Sequence, residues 1–287
     1  MRIALSCIGM ILGIFLLAAI PLTINISTGS LVWQLDGAWQ AMTNYVIGIV
    51  NGDSFLFQEG TNRFQDFLKV VPRHFLLSLG YIVLSGLTAV ILGMLVSTWY
   101  SRSKQEWVKD IIGFLGMIPD FILVLFLQIA VVSVYQSTGW KVARVASKGV
   151  HDHAILLPLI TLAIIPTIYL IRTLSERAYD VMGEDYILTA KAKGLTKWYI
   201  YIQHVVRNVL PFLKADLHKV ASIMISNLFI VEYLYNVNGL TKLLFASTGY
   251  QFNLTVNALL AFIGLYIVMY AVLRLFIGCL ERIFAYD

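Results

Sequence analysis

Hydrophobic runs long enough to cross a membrane recur along the chain, separated by short stretches in which charge and glycine collect. A spanning helix needs roughly 20 largely apolar residues, and such runs fall at about 3–23, 76–99, 111–135, 155–174, 217–236 and 257–280. The pattern predicts an all-α polytopic membrane protein with about six transmembrane helices in one membrane domain, 1–287. Its parts are a first span with an extracytoplasmic segment (1–75), a core region (76–287) and, inside the core, a polar insert at 175–213 between the fourth and fifth spans. The fifth run, "DLHKVASIMISNLFIVEYL", opens on Asp216, His218 and Lys219 and carries Glu232 near its end. Such charge suits a helix inside the bundle better than one against lipid.

Composition agrees with this pattern. Hydrophobic residues make up 59% of the chain and charged ones 13%, with a mean hydropathy of +0.79, outside the range of a soluble domain. A net charge of +5 would suggest nucleic acid if the protein were soluble. In a membrane protein the distribution of charge decides. The 21 lysines and arginines divide about two to one in favour of the side holding the insert and both termini, which places that side in the cytoplasm and leaves no nucleic-acid partner. Cys7 and Cys279 sit in apolar runs near opposite ends, as free thiols rather than a disulfide framework or a zinc site. The first run, basic at its start and with "LLAA" near its end, has a signal-peptide alternative, but its apolar core is longer than a usual signal core and it is read as a retained span. In the segment 24–75, Trp33, Trp39 and Tyr45 read as interfacial anchors, and the segment is expected to pack over the outer mouth.

The insert is built as two short helices around a glycine. Gly183 interrupts the preceding helix, Glu184 and Asp185 put acid into the next first turn, and Lys191 and Lys193 put base into its last. Gly194 follows where helices commonly end on a left-handed residue. Thr196 then caps a second helix from Lys197 to about Val209, with Pro211 helping to end it. The first helix is too short to hold alone in water, so it must dock. Small residues Ala190 and Ala192 allow close approach, and Tyr186, Ile187 and Leu195 offer apolar groups to a partner's groove.

At these residues a resemblance becomes specific. "DYILTAKAKGLTKWYIYIQHVVRNVLPFL" resembles the cytoplasmic coupling loop of permease subunits of bacterial binding-protein-dependent ABC importers, in the dipeptide, oligopeptide and nickel branch. The matching positions are Asp185, Tyr186, Thr189, Ala190, Lys191, Ala192, Lys193, Gly194, Leu195, His204, Arg207, Asn208, Leu210 and Pro211. The resemblance extends over roughly 70–287, through "VPRHFLLSLGYIVLSGLTAVILGML", "IPDFILVLFL", "ILLPLITLAIIPTIYLIRTL" and "NGLTKLLFASTGYQFNLTVNALLAF". Where the family reads Pro-Gly-Leu-Gly-Arg, this chain has Asn238, Gly239, Leu240, Thr241 and Lys242. The Pro-Gly-Asp-Pro usual after the first span is missing, as is a Glu near Thr189.

The resemblance implies a pore-forming, non-catalytic subunit of the bacterial inner membrane, paired with a homologous second permease. Two cytoplasmic ATPase subunits and an extracytoplasmic binding protein would complete the complex, with short peptides as the first solute class and nickel or another small solute as alternatives. ATP-coupling contacts are implied for Asp185, Tyr186, Thr189, Ala190, Lys193, Gly194, Leu195 and Pro211. The chain has no Gly-x-x-x-x-Gly-Lys-Ser/Thr phosphate cradle, so ATP and magnesium belong to the partner ATPases. Two readings from other classes compete: a membrane sensor or scaffold holding a cytoplasmic partner, and a secondary transporter, against which the insert has no second copy in 1–140.

The remaining candidates are weaker signals. Glu232, Asp120 and Asn227 are the polar groups expected at membrane depth and are candidates for the solute pathway, with interhelical hydrogen bonding the plainer use for Asn227 and Ser226. Asp120 follows Pro119 and has a second reading, satisfying backbone groups that the proline frees. His151, Asp152 and His153 carry metal-ligating chemistry, but three adjacent residues do not readily close around one ion, so no metal is assigned. Gly86 and Gly93 fall on one helix face and are expected to permit close packing.

Overall fold

The computed structural model describes residues 2–27, 30–33, 35–60, 63–100, 106–149, 152–245 and 249–285. Five helices in it are long and apolar enough to cross a membrane, within Phe67–Ser97, Asp120–Thr138, Leu156–Met182, Trp198–Leu234 and Phe252–Phe284. The first predicted span is α1 (Arg2–Thr23), whose described apolar part, Ile8–Thr23, is shorter. The protein is an all-α polytopic membrane protein with two small hairpins added. By packing, the chain divides into two units, 1–77 with 239–265, and 78–238 with 266–287.

The first unit begins with α1 and the antiparallel hairpin of β1 (Ile24–Ser27) and β2 (Ser30–Trp33). After α2 (Leu35–Asn51) and one tight turn come β3 (Leu56–Glu59) and β4 (Arg63–Asp66), paired around Gly60, whose φ of +70° only glycine adopts freely. The start of α3 (Phe67–Tyr100), α10 (Leu240–Phe245) and the start of α11 (Phe252–Ala285) complete it. Its core joins Ile14, Ala18 and Ala38 to Tyr45, Phe252 and Val256. Tyr45 is therefore a core residue and not an interfacial anchor. Its ring meets Phe15 edge-on at 5.3 Å, and its hydroxyl donates to Asn257 Oδ1 at 2.6 Å. Asn257 Nδ2 in turn donates to the Ser54 carbonyl at 2.8 Å. Trp39 is exposed as expected, while the Trp33 side chain lies outside the described residues.

In the second unit α6 (Leu156–Met182) packs chiefly against α9 (Arg207–Leu234), around fully buried Leu162, Leu170, Leu174, Leu213, Leu217 and Leu228. Glycines set the approach of α3. A β-carbon at Gly93 would stand 2.7 Å from that of Leu170, and one at Gly86 would stand 3.1 Å from Leu273 and 3.3 Å from Met224. The small positions read from the sequence are thus places where neighbouring side chains fill the missing volume.

Two spans differ from the sequence expectation. The run 111–135 is not one helix: α4 (Glu106–Leu115) stops, and α5 (Asp120–Thr138) starts after a break at 116–119. Pro119 cannot donate a backbone hydrogen bond, and Arg172 from α6 donates to the carbonyl of Gly113 at 3.0 Å, satisfying the end of α4. Pro211, in contrast, ends nothing. It lies inside α9, and the helix runs on to Leu234. A six-residue π-turn, Tyr201–Val206, precedes it and widens the backbone just before the proline that supplies no N–H to the Arg207 carbonyl. Neighbouring helices let a membrane helix tolerate such a gap.

Candidate functional site: the glycine-capped loop after α6

After Met182 the chain turns through Gly183 and Glu184, with Glu184 extended at ψ 147°, and enters α7 (Asp185–Ala192). Asp185 stands in the first turn and Lys191 in the last, each of the sign that the helix dipole favours there. The exit is a complete left-handed cap. Gly194 has φ +75°, its N–H donates to the Lys191 carbonyl at 3.0 Å, and the Leu195 N–H reaches back to the Ala190 carbonyl at 3.3 Å. Thr196 Oγ1 then accepts the Tyr199 N–H at 3.3 Å, capping α8 (Lys197–Ile200), which continues through the π-turn into α9.

Only eight residues long, α7 is held by tertiary contacts. Ile187 and Ala190, three apart on one face, are buried with Ile200, and Met182 packs against the cluster. Ile187 is thus committed inward, which corrects its reading as a group offered to a partner. A polar clasp fixes the other edge: Asn208 Nδ2 donates to the Tyr186 hydroxyl at 3.0 Å and to the His204 carbonyl at 2.6 Å. The His204 ring lies 6.1 Å from Tyr186 and 6.5 Å from Tyr199. Partial burial, and then the Glu184 carboxylate, raise the Tyr186 pKa above its ordinary value, so the phenol stays neutral and remains a hydrogen-bonding group.

What remains outside is a mixed polar and apolar face. Asp185, Thr189, Lys193 and Gly194 are exposed beside Leu188 (55%), Leu195 (37%) and Trp198 (70%). The geometry brings Asp185, Tyr186, Thr189, Ala190, Lys193, Gly194 and Leu195 together and leaves Pro211 apart, on α9. Leu188 and Trp198 escaped the sequence reading, although their spacing from buried Ile187 and Ala190 would have indicated them once the docked face was known. The loop runs directly into a helix of 37 residues, roughly 55 Å long at 1.5 Å per residue.

A family model described as "Binding-protein-dependent transport system inner membrane component" matches residues 89–285. The chain belongs to that family. It is a multi-pass protein of the bacterial inner membrane. It is similar to the dipeptide transport system permease protein of Bacillus subtilis, 27% identical over 175 residues, covering 60% of this chain and 54% of that protein. The chain thus spans about half the length of that relative. A match to the putrescine export system permease protein of Escherichia coli is 22% identical over 305 residues, covering 95% of this chain and 93% of that protein. Among solved structures, the inward-facing MetNI methionine ABC transporter is similar at a TM-score of 0.54 and 15% identity, over 76% of this chain and 97% of that one. That likeness bears on the fold alone.

In this transport-family chain the pathway candidates lie on two helices. Asn227 and Glu232 are buried five residues apart on α9, and Asp120 heads α5, where its charge faces the favourable end of the helix dipole. Ser78 donates to the Glu232 carboxylate, and Asn227 Nδ2 has no partner among the described residues. Ser226 is exposed. Sequence reading missed the clasp that ties the α5–α6 loop to the end of α9. The Ser147 N–H donates to the Tyr235 carbonyl at 2.9 Å, Asn236 Nδ2 to the Ser147 carbonyl at 3.0 Å, and Asn238 Nδ2 to the Gly149 carbonyl at 2.9 Å. Gln128 Nε2 adds bonds to Val145 and Leu234 carbonyls. His151 lies outside the described residues, and the Asp152 carboxylate is engaged by Arg144.

Proposed function

We propose that this chain is one half of the translocation pore of an ABC importer for short peptides, with both termini and the glycine-capped loop in the cytoplasm. A homologous permease forms the other half. Two ATPase subunits, which carry ATP and magnesium, receive the loops, and an extracytoplasmic binding protein delivers the solute. The observation that carries the reading is α7: a helix too short to stand alone, docked through Ile187 and Ala190 and capped by Gly194, with Leu188, Leu195 and Trp198 exposed. An exposed apolar knob on a rigid stalk fits a groove on a partner. Closure of two ATPases would draw two such knobs together and tilt the spans between inward-open and outward-open states.

Leu188→Glu combined with Trp198→Glu tests this on the assembled complex. Both side chains are exposed, so the fold is retained, and binding-protein-stimulated ATP hydrolysis and peptide uptake are expected to fall at least about tenfold, the loss that about 1.4 kcal/mol of contact energy brings. Normal stimulation in a complex of wild-type composition would refute the assignment. A chain that purifies with a cytoplasmic partner but no ATPase would point to a scaffold. A diamine is the second solute class to assay, because the relative matched over 93% of its length is named for putrescine export.

A further inference from the structure

At the end of α6 opposite the glycine-capped loop, the second unit holds a cavity of about 660 Å³. Its wall includes Val132 and Tyr135 of α5 and Lys141, Arg144, Lys148 and Asp152 of the α5–α6 loop. Three cations face one carboxylate. Arg144 is paired with Asp152, Lys141 Nζ lies 6.0 Å from the centre of the Tyr135 ring, and Lys148 forms no ion pair among the described residues. Positive charge is therefore in excess, and the walls that carry it are fixed. The Lys148 N–H donates to the Asp152 carbonyl at 3.1 Å, the Ala154 N–H donates to Ser147 Oγ at 2.9 Å, and the bonds from Tyr235, Asn236, Asn238 and Gln128 hold the rest of the loop.

We propose that this cavity is a receiving site for a short peptide, in which Lys141 and Lys148 bind the free C-terminal carboxylate and the apolar wall at Val132 and Tyr135 takes the side chains. The inference rests on the peptide-import reading and narrows its solute class. A volume of this size falls in the range of small-ligand sites, roughly 300–1,000 Å³. Asp152, oriented by Arg144, offers a counter-charge to the peptide's ammonium end. A bare inorganic anion would leave the apolar wall unused, and a diamine would meet the excess of like charge.

The test needs neither ATP hydrolysis nor uptake, so its failure is separable from failure of the importer assignment. In the assembled complex in lipid nanodiscs, with Cys7→Ser and Cys279→Ser as background, Val132→Cys places a thiol in the cavity wall. Its rate of modification is measured with an anionic sulfonate and a cationic trimethylammonium thiosulfonate reagent, each normalised to a free thiol. The anionic reagent is expected to react about tenfold faster, the low end of electrostatic focusing in a charged cleft. Lys141→Gln with Lys148→Gln should bring the ratio to near one. Millimolar dialanine should protect the thiol, whereas dialanine amide and putrescine should not. Equal rates for the two reagents would overturn the charge assignment. Protection by the amide equal to that by the free acid, or no protection by dialanine, would overturn the ligand.

Discussion

Gly194 shows how one residue sets the geometry of a loop. Its φ of +75° lies in the region that L side chains avoid, and a β-carbon there would meet nothing within 4 Å. Backbone conformation alone, not crowding, excludes larger residues. Gly194→Val should therefore loosen the end of α7 by about 1–2 kcal/mol, while Gly194→Asn, whose side chain tolerates the left-handed region, should cost far less. Hydrogen exchange of the Gly194 and Leu195 amides checks this: the valine variant exchanges on the order of tenfold faster and loses ATPase coupling, and the asparagine variant keeps both. If the two variants behaved alike, the left-handed cap would not be what holds the loop. Gly194 and Thr196 were legible in the sequence because a cap is written by neighbours within four residues. Ile187 and Tyr45 were not. Whether an apolar side chain turns toward its own chain or a partner depends on Met182 and Ile200 in one case and on Phe15, Phe252 and Asn257 in the other, none of which local spacing identifies.

At the level of elements, runs of apolar residues located the spans, but two prolines misplaced their ends in opposite ways. Pro119 stands after a helix that Arg172 already terminates, and so begins a new one. Pro211 stands inside packing strong enough to carry the helix past it, next to a π-turn. Each outcome is set by a neighbouring helix, which sequence order does not reveal. The same is true of the loop clasp, where asparagine, serine and glutamine groups come from separate elements. Its centre is Ser147, buried, with its backbone and hydroxyl all engaged. Ser147→Ala would strip the Ala154 N–H of its acceptor in a buried site, a loss of about 1–3 kcal/mol. Exchange of the Ala154 amide should accelerate between roughly tenfold and a hundredfold while that of the α7 amides stays unchanged. Unaltered exchange at Ala154 would show that the loop is held without the serine.

For the molecule as a whole, the distribution of charge and the two ends of α6 make a joint statement. Lys193, in the capped loop beyond the C-terminal end of this 27-residue helix, and Lys148, before its N-terminal end, are both exposed. At 1.5 Å per residue the helix is roughly 40 Å long, enough to cross the hydrocarbon core, so the two lysines belong on opposite sides of the membrane. On the orientation proposed above, with the surplus of Lys and Arg inside, Lys193 would face the cytoplasm. In a background lacking Cys7 and Cys279, Lys148→Cys should react with a membrane-impermeant maleimide in intact spheroplasts, and Lys193→Cys only after permeabilisation. The reverse pattern would invert the protein, place the knob where no ATPase reaches it, and remove the basis for the importer mechanism. Labelling of both in intact spheroplasts would mean that α6 does not span. The expected pattern instead puts the cation-rich cavity outside and the capped knob inside, at the two ends of one helix packed along α9. A tilt of that helix pair would act on the receiving site and the loop together.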